Sequence, residues 1–477
     1  MVFSSLVFLY IFLPFVLFGL GICSKVSYQN TFLFIVSLLF YSWGGIAYTM
    51  VLITSIVLNW LFGLAIEKWR EKSKMFVVFS IVTNIGILAF YKYTNFFVDN
   101  VNLIANVLHL HSLEIEKIAL PIGISFYTFQ GVSYVIDVYR GTVSAQRNFI
   151  KLGAYISLFP QLIAGPIIRY KELHAQLDNR KITLDNFYHG LKRFCLGLAR
   201  KVLIANQLAI VADAVFSKEP AQLQAPTAWI GILCYTLQIY YDFAGYSDMA
   251  IGLGRMFGFS FPENFNFPYI SKSIKEFWRR WHMTLSAWFK DYLYIPLGGN
   301  RCSTKRLYFN LYVVFFCTGF WHGASWNFIV WGLFHGTFLV LERGKFGTWL
   351  NAIPPFFQHI YTLFIVMLAW VFFRAENLTY GVDYLRCMFG LNQATESQAF
   401  MLEYLTGYKL IILAIALLSA TPLLSVIHEK IQQLTKQSSS AETMYYVLII
   451  VFIVVVIAMS TSILLTGGYN PFIYFKF

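Results

Sequence analysis

Apolar residues run along this chain in long stretches broken by short polar connections. The first stretch, Val2 to Ile22, stops at Ser24-Lys25. Others lie at 31–44, 48–66, 75–98, 119–138, 150–168, 191–215 and 226–258. A last set lies at 307–320, 324–341, 359–373, 408–427 and 444–466. About 20 apolar residues are needed to cross a bilayer as a helix, so some runs are too short to cross alone. The pattern predicts an all-α, multi-pass membrane protein with roughly ten or eleven crossings and some broken or re-entrant pieces. Val2 to Ile22 lacks a basic leader and a small-residue cleavage site, so it reads as a retained span. No Gly/Ser linker, low-complexity tract or repeat interrupts the chain, and residues 1–477 read as one membrane domain.

Composition agrees. Hydrophobic residues make up 58% and charged residues 12%, against about 45–50% and about 25% in ordinary soluble domains. A soluble fold of 477 residues could not hide that much apolar surface. The six cysteines (Cys23, Cys195, Cys234, Cys302, Cys317, Cys387) are scattered, with no metal-binding or disulfide spacing. The net charge of +13 sits in connections between apolar runs. It reads as the cytoplasmic bias of a membrane protein rather than as a nucleic-acid footprint.

That bias sets an orientation. The connection from Glu67 to Lys74 is rich in Lys and Arg, and counting back three spans puts the N-terminus outside. Between Ser271 and Arg306, eight basic residues against Glu276 and Asp291 leave +6, so this segment should also face the cytoplasm. The stretch 375–407 has no basic excess and reads as external.

Polar groups inside lipid are costly and therefore informative. Two prolines, a glycine and Gln161 interrupt the run Phe159 to Pro166, which predicts a kinked or broken segment packed against protein. Asp242 and Asp248 stand among aromatics with Gly245 between them. Six residues apart, they do not share a helical face; they read as structural or channel groups, or as anchors for Arg279 or Arg280. Between Phe277 and Asp291, Trp278, Trp281, Leu285 and Trp288 recur at helical spacing. A single helix is expected there, with His282 beside the stripe. A basic aromatic helix can simply lie at the membrane interface, but that role does not call for a histidine. Finally, Trp321-His322-Gly323-Ala324 joins two apolar runs whose outer ends carry Lys305-Arg306 and Arg343-Lys345. His322 then sits at the deep point, where an imidazole with little bulk water can take a proton from a hydroxyl. His335, thirteen residues on, reads as structural.

Other chemistries lack their motifs. There is no Gly-x-Ser-x-Gly elbow, no histidine followed five residues later by aspartate, no second histidine after His428-Glu429, and no phosphate loop.

These segments together resemble the membrane-bound O-acyltransferase superfamily, and within it the branch holding the integral membrane subunit of bacterial alginate O-acetyltransferase. The likeness runs from Met1-Val2-Phe3-Ser4-Ser5, through Gly123 to Gln130, Phe159 to Pro166, Tyr240 to Met249, Phe277 to Gly299 and Trp321 to Ala324, to Tyr469 to Phe475. The resemblance implies a ring of membrane helices around a funnel-shaped core, in a bacterial cytoplasmic (inner) membrane. The superfamily's invariant histidine falls on His322 and its earlier polar residue on His282. His322 would act as general base on the acceptor hydroxyl or help move acyl charge through the core, and His282 would orient a thioester or stabilise an oxyanion. Trp278, Arg279, Arg280, Trp281, Ser286, Lys290, Trp321 and Asn327 are the expected substrate-binding residues. The resemblance further implies acetyl-CoA as the donor, no permanently bound cofactor and no metal. An extracytoplasmic esterase-like partner would complete transfer to a surface polysaccharide. Three alternatives stand against this reading: D-alanyl transfer from a carrier protein to teichoic acid, a secondary transporter using Asp242 and Asp248, and a non-catalytic scaffold, which would not need His282 and His322 in a membrane core.

Overall fold

A computed structural model describes residues 1–394, 403–435, 438–467, 470 and 473. Of the C-terminal motif Tyr469 to Phe475, only Asn470 and Ile473 fall within it; residues 395–402 of the stretch 375–407 also lie outside the described residues. Among the described residues the chain is helical, with no strand.

The apolar runs become helices α1 (Phe8–Ile22), α2 (Val26–Ser42), α3 (Ile46–Lys68), α4 (Ser73–Val107) and α5 (Ile124–Arg140). The run 150–168 is split into α6 (Phe149–Ser157) and a single turn, α7 (Phe159–Leu162), followed by irregular backbone. Then come α8 (Leu184–Phe216), α9 (Ala225–Met256), α10 (Ile274–Arg280), α11 (Met283–Phe289), α12 (Thr304–His322), α13 (Trp326–Leu341) and α14 (Pro355–Arg374). By length and composition, α3, α4, α8, α14 and the C-terminal helix Ser439–Leu465 can each cross a membrane. The pair Gly407–Ser419 and Leu423–Thr435, bent by 70°, could supply a sixth crossing.

The centre is built on α8 and α9, which approach closely because both carry glycines where they touch. A methyl group on Gly197 would lie 2.5 Å from the Gly245 carbonyl oxygen, and one on Gly190 would lie 2.7 Å from that of Gly252. Gly245 therefore does not break the helix, and Asp242 and Asp248 ride on one continuous α9. Their partners are on α8. Asp242 pairs with Lys201 at 2.5 Å, and its other oxygen accepts from the Ile473 N–H at 2.9 Å. Asp248 pairs with Arg193 at 2.9 Å and also with Arg200. The expected anchorage to Arg279 or Arg280 is not formed: the glycine contact brings the cations of α8 to these carboxylates first.

Segments distant in sequence meet at one end of the bundle. Arg70 donates to the Val138 carbonyl, Ala145 N–H to Glu67, and Arg140 to the Asp291 carbonyl, while Lys171 and Arg169 pair with the Asp291 carboxylate. Both segments that sequence assigns to the cytoplasm, 67–74 and 271–306, thus contribute to one polar face.

Candidate functional site

The expected single helix over 277–291 is overturned. α10 ends at Arg280, α11 begins at Met283, and His282 sits in the break with φ +43° and ψ +54°. A left-handed backbone is uncommon outside glycine and persists only where the surroundings impose it. Here the Asn264 carbonyl takes the Met283 N–H at 2.9 Å, which pulls the chain out of helix. The aromatic stripe is accordingly divided. Trp281 packs on Phe265 and Trp370, each at 5.0 Å, Trp278 on Trp331 at 5.7 Å, and Trp288 stacks on Phe129 at 3.7 Å. His282 is fully buried, its ring 4.7 Å from that of Phe243.

His322 is the last residue of α12, at the turn into α13. A helix C-terminus leaves carbonyls without intrahelical partners, and a buried cation from α4 covers them. Lys92 Nζ donates to the Trp321 carbonyl at 2.5 Å, the His322 carbonyl at 3.2 Å and Ser125 Oγ at 3.3 Å. Tyr93 donates to the Phe320 carbonyl at 2.8 Å. The helix dipole favours a cation at this end. Lys92 is the group that sequence reading missed; a lone lysine in the run 75–98 was the signal, since an ionisable residue at membrane depth is costly.

Trp321 joins the two histidines: its ring centroid is 6.2 Å from that of His282 and 5.0 Å from that of His322. Its indole N–H is buried and makes no hydrogen bond among the described residues. The rings of Trp331 and Phe373 close the far side of His322, at 5.0 and 5.2 Å. His335 lies against Trp278 and Trp331, each at 5.2 Å, within aromatic packing.

Cavities approach this centre from two directions. One, of about 1160 Å³, is lined by Lys275, Arg279, Arg280, Lys290, Arg343 and Asn300 among others. It shares Lys275, Arg279, Lys290 and Arg343 with an apolar cleft of about 210 Å³ that is bounded by Trp278, Leu285, Ser286, Phe315 and Thr318. Thr318 is one helical turn before His322. Arg279 and Lys290 are exposed, whereas Arg280 is held by Glu276 at 2.9 Å and the Asn266 carbonyl at 3.1 Å. From the other direction, a polar cavity of about 510 Å³ is lined by Lys92, Asn95, Asp99, Ser325, Asn327 and Arg374 among others. Lys92 and Leu120 connect it to a small inner pocket of about 80 Å³ that touches Trp321 and His322.

The expected residues therefore separate. Trp278, Arg279, Arg280, Ser286 and Lys290 line the basic side. Asn327 lines the other side and is bound to the Ala375 carbonyl at 2.6 Å. Trp321 stands between the histidines, and Trp281 is enclosed by aromatic rings. Gln161 is buried in α7, donating to the Tyr155 carbonyl at 2.5 Å, and braces the broken segment.

Residues 143–381 match the membrane-bound O-acyltransferase family. The chain is 45% identical over 404 residues to a protein described as probable alginate O-acetylase AlgI from Azotobacter vinelandii, covering 83% of this chain and 80% of the relative. It is 37% identical over 431 residues to a peptidoglycan O-acetyltransferase from Helicobacter pylori, covering 82% and 80%. It is 29% identical over 239 residues to a teichoic acid D-alanyltransferase from Bacillus subtilis, covering 46% and 58%.

Proposed function

The chain belongs to the membrane-bound O-acyltransferase family, and from that premise we propose that it moves acetyl groups from cytoplasmic acetyl-CoA toward an extracytoplasmic polysaccharide. The observation that carries this reading is the placement of His322, buried at a helix end with a cavity approaching from each side of the bundle. The basic cavity suits a phosphate-rich donor, since clustered cations concentrate anions, and the apolar cleft beyond it suits an uncharged thioester arm. The polar cavity on the other side suits a hydroxyl acceptor. In the transfer, His322 takes the proton of the attacking hydroxyl, whose oxygen forms the new bond to the thioester carbonyl carbon. The carbon–sulfur bond breaks, and the proton passes to the leaving thiolate. His282 is the second polar group at the centre.

The activities named for its relatives favour a polysaccharide acceptor of the alginate or peptidoglycan kind. An extracytoplasmic esterase-like partner would complete delivery to the polymer. We also read the shorter apolar helices as part of a ring of roughly ten or eleven crossings, in the cytoplasmic membrane of a bacterium. D-alanyl transfer is the second reading, and donor choice separates the two.

Arg279 and Lys290 are exposed at the basic cavity, and no ion pair forms at either among the described residues. Replacing both with Gln should leave folding nearly unchanged, because solvated charges contribute little to stability. The KM for acetyl-CoA should rise about tenfold, as two weak phosphate contacts together are worth roughly 1.4 kcal/mol. An unchanged KM with normal folding would discard this donor path.

Orientation has its own test. Ser303 is exposed at the start of α12. A Ser303→Cys protein with Cys302 replaced by Ser should resist a membrane-impermeant thiol reagent on intact cells, whereas Glu114→Cys, in the connection between α4 and α5, should label quickly. The reverse pattern would invert the protein and end the case for a cytoplasmic donor.

A further inference from the structure

The hydrogen bonds around Asn264 fix which nitrogen of His282 carries the proton. Asn264 is fully buried in the connection between α9 and α10. Its side-chain oxygen lies 3.3 Å from the Thr284 backbone nitrogen, 2.9 Å from Thr284 Oγ1 and 3.1 Å from His282 Nδ1. A backbone N–H can only donate, so the amide atom facing Thr284 is oxygen; the flipped amide would set two N–H groups against each other. Thr284 Oγ1 itself accepts from the Ile167 N–H at 3.0 Å, which leaves its own proton for Asn264. The atom opposite His282 Nδ1 is therefore an acceptor, and Nδ1 must hold the hydrogen. A neutral imidazole has one N–H, so the lone pair is on Nε2. That nitrogen is buried with no hydrogen-bond partner among the described residues.

We propose that Asn264 is a positioning residue that locks His282 as the Nδ1–H tautomer, so that Nε2 meets the reactants only as a hydrogen-bond acceptor. The proposal rests on the reading that His282 stands at the reacting centre, and it bears on both roles raised for that side chain. An oxyanion needs a donor, which this tautomer does not offer. Orienting a thioester carbonyl needs a donor for the same reason, so His282 is assigned to the group that brings a proton, the acceptor hydroxyl. The arrangement also gives the broken segment a purpose: Ile167, directly after the Pro160–Pro166 interruption, has a free N–H to give Thr284 because the helix has already ended.

The test is nitrogen NMR of the full-length protein in bilayers, with isotope-labelled histidine and the His282 signals identified by their loss in His282→Gln. The expected wild-type spectrum shows a protonated Nδ1 and a bare Nε2. Asn264→Ala should release the ring to a mixture of tautomers and lower kcat about tenfold or more, the usual weight of one orienting hydrogen bond, with KM unchanged. Thr284→Val keeps the backbone N–H and should keep the tautomer. A wild-type proton on Nε2 overturns the proposal without any variant having to fold, and so does an unaltered tautomer in Asn264→Ala. Normal turnover in His282→Ala would instead overturn the underlying reading of the site, a result the spectrum cannot produce.

Discussion

His322→Gln should abolish measurable acyl transfer while the protein still folds and inserts. His322 is buried where α12 turns into α13, and the inner pocket beside it joins the polar cavity. Glutamine fills nearly the same space and can hold a hydrogen bond, but it cannot take a proton at neutral pH. A positioned general base contributes about 10²–10⁴-fold in rate, so the variant should lose at least the lower figure. His322→Ala should lose as much. Acyl release from a labelled donor by the purified protein is the direct measurement, with polymer acylation in cells beside it. Turnover near wild type in His322→Gln, with normal expression, would remove the base from His322 and favour a transport or positioning role.

Lys92→Met should be almost as damaging, for a different reason. The Lys92 ammonium holds the last carbonyls of the helix that carries His322 and ties them to α5 through Ser125. Methionine keeps the length of the side chain and loses every donor. A hydrogen bond from a charged group is worth about 1.5–3 kcal/mol, and the carbonyls left behind lose the cation that covers them. The helix end should shift, and a misplacement of about 1 Å can cost about 10²-fold in rate. A drop of that size in kcat is expected, together with a lower thermal midpoint in detergent and a smaller change in KM. Lys92→Arg should rescue little, since a planar guanidinium cannot replace a compact ammonium in this pocket. If Lys92→Met keeps full kcat and loses only stability, the lysine merely braces the fold.

The membrane class, the helical content and most helix positions were legible in the sequence because lipid punishes exposed polar backbone. A chain that must satisfy its backbone within each segment advertises its helices as apolar runs. His322 was legible for a related reason: a polar side chain at membrane depth stands out against its neighbours. Lys92 carried the same signal but no motif, and its role depends on a helix end 229 residues further along the chain. The segment 277–291 misled because spacing reports which side chains are apolar and says nothing about what the backbone bonds to. The stripe Trp278, Trp281, Leu285 and Trp288 is buried as periodicity expects. It is buried across two helices and the break between them, where Trp281 sits, because Asn264, from a separate connection, takes the Met283 N–H.

Sequence by itself determined the solvent this protein folds in, the basic bias of its connections and the histidine most exposed to suspicion, since each depends on composition or on near neighbours. Tertiary structure alone decided the partners of the charges. Asp242 and Asp248 went to α8 because glycine on both helices let the backbones meet. It also decided that Arg279 and Asn327 serve opposite cavities, and that His282 stands at a break with its Nδ1 committed to Asn264. These are long-range contacts, set by which helix surfaces close-pack, and no local pattern of residues encodes them.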